Sequence, residues 1–378
     1  MPGTSDQQDI IMEIAVTGTR GFPGVQGGVE SHCEQLYTHL ARMGCDITVF
    51  GRKPYLADSV NVFNGVNIIP LDCPRNKFLE AIVHTFKSVL KAKALNPDIL
   101  HIHAVGPSLF VPLARLLRMR VVVTNHGPDY LRKKWPLPAR VFLKFCERMG
   151  IVFASEIITI AQNIHDDIRK NYGKESTILP NGVNIPKPAE TEDFLRKYGL
   201  KSGQYILAVG RFVPEKGFDD LIGAFDLCGF DEINLVIVGD ADHEDKYSRS
   251  LKLKAGRNKK IILTGFLKGQ SLHELYSHAG LFVLPSYYEG LPIVLLEAMS
   301  YGLSCLASDI PANRNVELSR ERFFRAGDIV LLSEKIKNIF GQPWTEADQN
   351  RQLKIISEKY NWERIAAETL KVYGKAVL

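Results

Sequence analysis

Short runs of branched apolar residues alternate with amphipathic stretches along this chain, and the pattern starts twice. The first run covers residues 10–17, a glycine-rich loop covers 18–28, a helix is predicted over 29–43, and residues 46–50 form the next strand. A strand, loop, helix and strand in that order are the unit of a doubly wound sheet, whose parallel strands are covered by helices on both faces. The beginning of the chain is therefore predicted to be a Rossmann-like α/β domain.

The same pattern restarts after a segment that is typical of a linker. Residues 179–188 are rich in Pro, Gly and Asn. The predicted strands lie before it at residues 66–71, 99–103, 121–125 and 157–160, and after it at residues 205–210, 235–239, 261–264, 281–285 and 305–308. Since 378 residues are many for one hydrophobic core, two domains are expected. We place them at residues 1–185 and 186–360, facing across a ligand-binding cleft, with a last helix over 361–378 that can pack back on the first domain.

Cysteine usage and hydropathy favour a cytoplasmic protein. The six cysteines include no C-x-x-C pair, which disfavours a disulfide framework and a cysteine zinc site. Residues 1–6 show neither the basic nor the apolar segment of a signal peptide. The sequence also contains no run of eighteen apolar residues, the length needed to span a bilayer.

Two cations follow the strand predicted over residues 205–210. Arg211 and Lys216 lie in the segment Gly-Arg-Phe-Val-Pro-Glu-Lys-Gly. At the carboxyl edge of a parallel sheet, an arginine can bind two phosphate oxygens and a lysine can act as a point charge. Taken alone, the pair fits a diphosphate site and two solvated surface charges equally well.

Two acidic residues flank an apolar stretch later in the chain. Glu289 and Glu297 enclose the segment Gly-Leu-Pro-Ile-Val-Leu-Leu. We predict a helix that starts at Gly290, with Pro292 in its first turn and free amides that suit an anion. A carboxylate inside an apolar helix needs hydrogen-bond donors, such as ribose hydroxyls. Taken singly, each carboxylate fits a structural role in capping backbone amides better than a functional role.

Together, the spacings Gly-Arg-x4-Lys-Gly and Glu-Gly-x-Pro-x4-Glu-Ala-x3-Gly resemble the donor-binding signature of glycosyltransferase family 4. The resemblance extends over nearly the whole chain. It implies a GT-B fold, in which residues 1–185 form the acceptor side and residues 186–360 bind a nucleotide sugar. It also implies a retaining hexosyl transfer that requires no metal.

The resemblance also implies roles for individual residues of the second domain. Arg211 and Lys216 match the residues that hold the donor diphosphate. Glu297 matches the acceptor of hydrogen bonds from the ribose, and Glu289 matches the acceptor from the donor sugar. With His126 of the first domain, Arg211, Lys216 and Glu289 make up the predicted catalytic set.

The remaining positions of the resemblance surround the donor. The amides near Gly290 and Leu291 match those that support the sugar or the phosphate. Phe266 and Leu267 lie in the loop that flanks the nucleobase, which is too variable to identify the base.

In the first domain, the resemblance rests on a glycine pair and a histidine. Gly27 and Gly28 match the loop that approaches the donor phosphate, which residues without a Cβ allow. His126, in the segment His-Gly-Pro-Asp, matches the histidine that contacts the donor sugar near C6. Asp129 is a weaker candidate for a contact with donor or acceptor.

Two patterns that are typical of metal sites are discounted. The tripeptide Asp240-Ala-Asp242 follows the strand predicted over residues 235–239 and is interpreted as a loop. His101 and His103 share one face of a strand, but no cysteine or carboxylate completes a zinc ligand set. We expect His103 to border the acceptor side of the cleft. No metal and no cofactor are predicted, and the nucleotide diphosphate sugar is the donor substrate.

The net charge of +5 is unevenly distributed. Residues 75–148 contain fourteen basic and four acidic residues, which fits contact with an anionic membrane surface and a solvated face equally well. Trp135, Phe142 and Phe145 are expected to add interfacial anchoring. The sequence contains no known nucleic-acid-binding module, so nucleic acid is not an expected partner.

These features predict a retaining glycosyltransferase that moves a sugar from a nucleotide diphosphate sugar, with UDP favoured, to a glycan or lipid-linked acceptor in cell-surface polysaccharide or glycoconjugate biosynthesis. It would act in the cytoplasm or peripherally on the inner membrane face. Two alternatives remain: a GT-B sugar-nucleotide 2-epimerase, which acts on the donor without an acceptor, and a non-catalytic subunit that binds nucleotide sugars.

Overall fold

A computed structural model describes residues 12–57, 60–74, 76, 79–128, 130, 136–241, 244–340 and 342–378. Within these ranges, the chain forms two sheets of eight and six strands, each flanked by helices. The predicted α/β architecture of two doubly wound sheets is confirmed.

The first sheet has the strand order β3-β4-β2-β1-β5-β6-β7-β8. Every pairing is parallel except that of β3 with β4. Its strands are β1 (Glu13–Thr17), β2 (Asp46–Arg52), β3 (Val62–Phe63), β4 (Val66–Leu71), β5 (Ile99–His103), β6 (Val121–Asn125), β7 (Glu156–Thr159) and β8 (Thr177–Ile178).

The second sheet is entirely parallel, with the strand order β11-β10-β9-β12-β13-β14. Its strands are β9 (Tyr205–Val209), β10 (Asn234–Val238), β11 (Ile261–Gly265), β12 (Leu281–Leu284), β13 (Cys305–Ser308) and β14 (Phe323–Phe324). The order reverses between β9 and β12, and in the first sheet between β1 and β5. In such sheets, ligands bind beyond the carboxyl ends of the strands at this reversal.

The helices cover both faces of each sheet. They are α1 (Gly28–Arg42), α2 (Glu80–Leu95), α3 (Val111–Leu116), α4 (Leu137–Phe153), α5 (Gln162–Tyr172), α6 (Asp193–Lys197), α7 (Phe218–Cys228), α8 (Lys246–Ala255), α9 (Gln270–His278), α10 (Ile293–Ser300), α11 (Pro311–Arg314), α12 (Ile329–Phe340), α13 (Glu346–Lys359) and α14 (Trp362–Val377). Among them, no helix combines the length and the hydropathy needed to cross a membrane.

The central strands are buried on both faces. All five residues of β5 and all five of β6 are buried, as expected when helices cover a parallel sheet on both sides. Separate apolar clusters fill the two faces of each sheet. This explains why the sequence shows continuous apolar runs in place of an apolar–polar alternation.

The last helix, α14, returns to the first sheet. Trp362, Ile365 and Tyr373 belong to the same apolar cluster as α1 and the strands of the first sheet. Trp362 also lies so close to Gly182 that a Cβ at Gly182 would come within 2.5 Å of the indole ring. The end of the chain is therefore part of the core of the first domain.

The helix predicted to start at Gly290 begins later, at Ile293. Pro292 is its N-cap with extended dihedral angles, and it lies just before the first turn that was predicted to contain it. Because a residue that precedes proline is kept out of the helical region, Leu291 cannot be helical, and the helix starts after the proline. The amides of Gly290 and Leu291 thus belong to a loop.

Candidate functional site

A cleft of about 820 Å³ lies where the carboxyl ends of the two sheets meet. Residues of both domains line it. His103, which was expected to border the cleft, is fully buried and does not line it. The structure brings these candidate site residues together in the lining: Gly27, Gly28, His126, Arg211, Lys216, Phe266, Leu267, Glu289, Gly290, Leu291 and Glu297. Its volume suits a ligand of several hundred daltons.

The two domains approach each other closely at a glycine. Gly290 lies so near the backbone carbonyl of His126 that a Cβ at position 290 would come within 2.2 Å of that oxygen. Gly127 faces the same point, since a Cβ there would lie 3.4 Å from the Gly290 Cα. Glycine at 290 therefore permits a contact across the cleft that any side chain would block.

His126 is held by the end of strand β6. The side chain of Asn125 accepts a hydrogen bond from the Gly127 amide at 2.8 Å and donates one to Glu147 at 3.0 Å. Glu147 also accepts from the hydroxyls of Tyr130 and Tyr172. This buried carboxylate therefore anchors the turn that presents His126 to the cleft.

Lys216 and Glu289 form an ion pair inside the cleft. The Lys216 ammonium lies 2.6 Å from Glu289 Oε1, and the Ser286 hydroxyl donates to the same oxygen at 2.7 Å. Both charged side chains are less than one-fifth exposed. Lys216 follows strand β9, and Glu289 follows the neighbouring strand β12, so the sheet topology brings the pair together. One oxygen of the carboxylate is thus held by protein, which leaves Oε2 for a ligand hydroxyl.

Glu297 is held in the same way from the other side. The Tyr276 hydroxyl donates to its Oε2 at 3.0 Å. Burial raises the pKa of Glu297, although the hydrogen bond from Tyr276 acts in the opposite direction. Glu297 also lines a second cavity of about 380 Å³, which adjoins the first and extends towards Trp362.

Two helices begin at the cleft. Helix α1 begins at Gly28 and helix α10 at Ile293, and a Cβ at Gly28 would lie 3.9 Å from the Ile293 Cδ1. The first amides of a helix lack intrahelical acceptors and carry partial positive charge. Together with Arg211 and Lys216, these amides are groups that can bind a diphosphate.

The remaining candidates form the rim of the cleft. Phe266 directly follows strand β11 and is 45% exposed, so its ring can stack on a planar ligand. Leu267 lines the cleft beside it. On the opposite side, the buried Asn181 donates to the carbonyl of Leu291 at 3.3 Å and fixes the loop between the two acidic residues.

Sequence reasoning missed several residues of this site. Arg20, Ser286 and Tyr276 were not predicted, and Arg20 binds Glu30 on helix α1 at 3.1 Å. Arg20 stands in the glycine-rich loop after the first strand, which is a signal that could have identified it. Ser286 and Tyr276 carry no such signal, since nothing in their neighbourhood distinguishes them from ordinary polar residues.

The structure also adds His32 to the histidines that the sequence analysis considered. Three ring nitrogens, one each from His32, His103 and His126, lie within 4.8 Å of one another. A group of this kind can hold a metal ion. His101 and His103 do share one face of β5, as predicted, and their rings stack with centroids 4.2 Å apart. His103 Nδ1 and His126 Nε2 are hydrogen bonded at 3.0 Å and thus satisfy each other.

Three sequence-based interpretations lie outside the described residues. Asp129, proposed as a donor or acceptor contact, is one, and Trp135 of the basic segment is another. Asp242, the second acid of the discounted D-x-D tripeptide, is the third.

Two family models match consecutive parts of the chain. The model described as Glycosyltransferase Family 4 matches residues 26–187, and the model described as Glycosyl transferases group 1 matches residues 190–362. They cover the first and second halves of the cleft, respectively.

Individual relatives agree with these models. An uncharacterized glycosyltransferase of Methanocaldococcus jannaschii is 26% identical, over 97% of this chain and 99% of its own. The UDP-Gal:alpha-D-GlcNAc-diphosphoundecaprenol alpha-1,3-galactosyltransferase of Escherichia coli is 29% identical over 68% of this chain and 69% of its own. The crystal structure of Anabaena HepE in complex with UDP and glucose superposes with a TM-score of 0.79 at 17% identity, covering 96% of this chain and 99% of its own.

The structural match confirms the GT-B fold, and the family models account for the residues of both domains that line the cleft. An enzyme of this family transfers a hexosyl group from a nucleotide sugar, typically with retention and without a metal. The chain therefore belongs to family 4 of the glycosyltransferases and is a GT-B enzyme that uses nucleotide sugars.

Proposed function

We propose that the chain is a retaining transferase that moves a hexose from a UDP-sugar to a glycan or lipid-linked acceptor in cell-surface polysaccharide or glycoconjugate biosynthesis. The observation that carries this proposal is the pair of anchored carboxylates, Glu289 and Glu297, in one cleft with Arg211 and Lys216. Residues 186–360 bind the donor, and residues 1–185 bind the acceptor.

The electrostatics of the cleft support departure of a diphosphate. Arg211, Lys216 and the amides at the starts of α1 and α10 offer positive charge where the leaving group becomes more negative. Glu289 and Glu297 each present a free oxygen to hydroxyls of the sugar and the ribose. We assign no covalent nucleophile to the protein. The acceptor hydroxyl attacks on the face from which the diphosphate leaves, and the diphosphate takes up its proton.

Two similarities favour UDP and a lipid-linked acceptor. The galactosyltransferase of Escherichia coli carries both a UDP-sugar and an undecaprenol diphosphate acceptor in its name, and HepE was crystallised with UDP and glucose. A calorimetric panel of UDP-, GDP- and dTDP-sugars tests the donor. Tighter binding of a GDP- or dTDP-sugar than of every UDP-sugar would reject the choice of UDP.

Catalysis is tested with three variants and the donor that the panel selects. Glu289→Ala, Lys216→Ala and His126→Ala should each lower donor turnover by at least tenfold, because each loses a group facing the donor. Near-normal rates in all three would refute the assignment. Incubation without acceptor, followed by NMR, separates transfer from 2-epimerisation, since only an epimerase converts the donor alone. Measurable transfer excludes a non-catalytic subunit.

A membrane contact is part of this proposal and rests on helix α4. Leu137, Val141 and Phe145 form an exposed apolar row at four-residue spacing. A parallel exposed row of cations lies beside it, formed by Arg140, Lys144 and Arg148. An apolar strip bordered by cations is typical of helices that lie in the surface of an anionic membrane. Each cation near such a surface contributes about 1 kcal/mol.

Vesicle sedimentation tests this contact. The protein should bind vesicles of phosphatidylcholine and phosphatidylglycerol and should not bind phosphatidylcholine alone. Phe145→Asp should abolish binding, whereas Leu253→Asp, at an exposed apolar position of α8 in the second domain, should not. Equal binding of both variants would locate the membrane contact elsewhere, and no binding by the unaltered protein would reject it.

A further inference from the structure

A chain of hydrogen bonds runs from His126 into the core of the first domain. His126 Nε2 lies 3.0 Å from His103 Nδ1, and His103 Nε2 lies 2.5 Å from the Tyr37 hydroxyl. The same hydroxyl lies 2.8 Å from His101 Nδ1. Tyr37, His101 and His103 are fully buried, so water does not compete for these hydrogen bonds. None of these three is needed to line the cleft, and the proposed reaction has not used them.

Two further hydroxyls end the chain at His101. The Tyr373 hydroxyl, from the last helix, lies 2.7 Å from His101 Nδ1, and the Thr124 hydroxyl lies 2.7 Å from His101 Nε2. The network thus joins helix α1, strands β5 and β6, and helix α14. Its most widely separated hydrogen-bonded pair, His101 and Tyr373, is 272 positions apart in the sequence.

The imidazoles of this network are neutral. Burial lowers the pKa of His101 to about 3 and that of His126 to about 3, and a neighbouring histidine adds to the effect in each case. Burial also holds the pKa of His103 well below its usual range. A neutral imidazole has one N–H donor and one acceptor nitrogen, so fixing either nitrogen fixes the other.

The contacts of His101 favour one direction of donation along this chain. His101 Nδ1 contacts the hydroxyls of both Tyr37 and Tyr373, and one lone pair accepts a well-aligned hydrogen bond from only one of them, whereas one N–H can be shared by two oxygens. The direction that satisfies both contacts has the proton on Nδ1, shared by the two phenol oxygens, while Nε2 accepts from the Thr124 hydroxyl. Because the Tyr37 oxygen accepts from His101, its one proton is donated to His103.

The direction then propagates to the cleft. Since His103 Nε2 accepts from Tyr37, the proton of His103 is on Nδ1 and is donated to His126 Nε2. The remaining nitrogen of His126, Nδ1, must then carry a proton. No described residue is hydrogen bonded to this Nδ1, and His126 lines the cleft.

We propose that this buried chain is a positioning network that holds His126 as the tautomer protonated on Nδ1, so that His126 donates a hydrogen bond to an oxygen of the bound donor. This inference rests on the proposed function for the identity of the ligand. It makes His126 a hydrogen-bond donor and excludes it as a general base through Nδ1. The three-histidine group is then not a metal site, because His103 Nδ1 carries a proton and has no lone pair for a metal.

The tautomer is measured directly with protein whose histidines carry ¹⁵N. Two-bond proton–nitrogen spectra distinguish a protonated ring nitrogen from a bare one, and His126→Asn identifies the His126 signals. The unaltered protein should show His126 with its proton on Nδ1, without any ligand. A proton on Nε2 would overturn the proposal. This measurement needs no substrate, so its outcome is independent of whether the proposed reaction is correct.

The variant Tyr37→Phe removes the hydroxyl that determines which ring nitrogen of His103 carries the proton. His126 should then become a mixture of tautomers, and kcat/KM for the donor should fall about fivefold to tenfold, the value of one neutral hydrogen bond. Tyr205→Phe is the matched control, since Tyr205 is equally buried and donates to the carbonyl of Leu275 in the second domain. Tyr205→Phe should change neither the His126 tautomer nor kcat/KM for the donor.

Two results of these experiments would contradict the network. An unchanged His126 tautomer in Tyr37→Phe would show that something else fixes it. Stoichiometric zinc, nickel or copper in the purified protein would show that the histidine nitrogens bind a metal ion and are not hydrogen bonded to one another.

Discussion

The contact between Gly290 and the His126 carbonyl gives the sharpest prediction. In Gly290→Ala, the new Cβ would lie 2.2 Å from that oxygen. Contacts below 3.0 Å essentially never occur for a real Cβ, so the two segments must separate by at least 0.8 Å. The obstacle is backbone on both sides, and no side-chain rotation can relieve it.

The separation opens the cleft between His126 and Glu289. His126 belongs to the first domain and Glu289, next to the altered residue, to the second, so the displacement moves one against the other. A shift of about 1 Å in the placement of reacting groups can cost about a hundredfold in rate, or about 2.7 kcal/mol. Stability should fall less, since the domains can move apart without a cavity in either core. We expect the melting temperature to decrease by a few degrees at most.

The assay compares kcat/KM for the selected nucleotide sugar with thermal unfolding of the same preparations. Gly374→Ala is the matched control, because it makes the same chemical change within helix α14 where no atom lies within 4 Å of the new Cβ. It should leave kcat/KM unchanged. A kcat/KM of Gly290→Ala within threefold of the unaltered protein would show that the two segments do not meet in the working enzyme, and the reasoning would be wrong.

Three further predictions follow from individual contacts. In Glu289→Gln, the Lys216 ammonium loses its charged partner, and we expect kcat to fall about tenfold to a hundredfold while the calorimetric affinity for UDP changes little. Burial raises the pKa of Glu297, so the carboxylate is lost as the pH falls through a value above that of an ordinary glutamate. Donor affinity measured by calorimetry should therefore weaken as the pH falls, starting at a higher pH than an ordinary glutamate would cause. Tyr276→Phe, which removes a hydrogen bond that lowers this pKa, should shift the weakening to higher pH. Constant affinity across this range would contradict the role of Glu297. The same raised pKa has the opposite effect on folding: the ionised carboxylate costs stability at neutral pH, and this cost disappears as the pH falls. In Trp362→Ala, the loss of a buried indole should lower the free energy of unfolding in urea by about 3–5 kcal/mol, and a loss below 1 kcal/mol would show that helix α14 is not part of the core.

Much of the fold could be predicted because its strands are buried on both faces. Strands β4, β5, β6 and β13 have the predicted ends, since each is a run of apolar residues that stops at polar or glycine-rich sequence. The ends of β2, β7, β9, β10, β11 and β12 differ by at most two residues, which is the usual uncertainty at the end of an element. The two-residue strands β3, β8 and β14 were not predicted. Strand β1 is described only from Glu13, although the run was predicted from residue 10.

The helix start at Ile293 was also predictable in principle. Pro292 disfavours a helical conformation at Leu291, the residue before it. This steric effect is stronger than the tendency of the apolar run to form a helix from Gly290. The interpretation of Pro292 as a first-turn proline took account of its missing N–H and overlooked its effect on the preceding residue.

The histidine network could not be predicted, because its members are far apart in sequence. Tyr37 and His101 are 64 positions apart, and Tyr373 lies 272 positions from His101. A single buried tyrosine or histidine fits an ordinary core equally well. Only the pairing of strands β5 and β6 with α1 and α14 on one face brings the hydroxyls and imidazoles into contact.

The two carboxylates of the cleft are better understood by how each is held than by their acidity. Glu289 has one oxygen bound by Lys216 and Ser286, and Glu297 has one oxygen bound by Tyr276. Each therefore has a fixed orientation and one oxygen left for a ligand hydroxyl. A general acid or base would have to exchange a proton with the substrate during the reaction, whereas an acceptor of hydrogen bonds needs only to stay ionised and in place. His126, held by the buried network, complements the two carboxylates, since it supplies a hydrogen-bond donor and they supply acceptors. A sugar nucleotide, with hydroxyls at both ends and a diphosphate between them, offers donors to these two acceptors and an anion to Arg211 and Lys216.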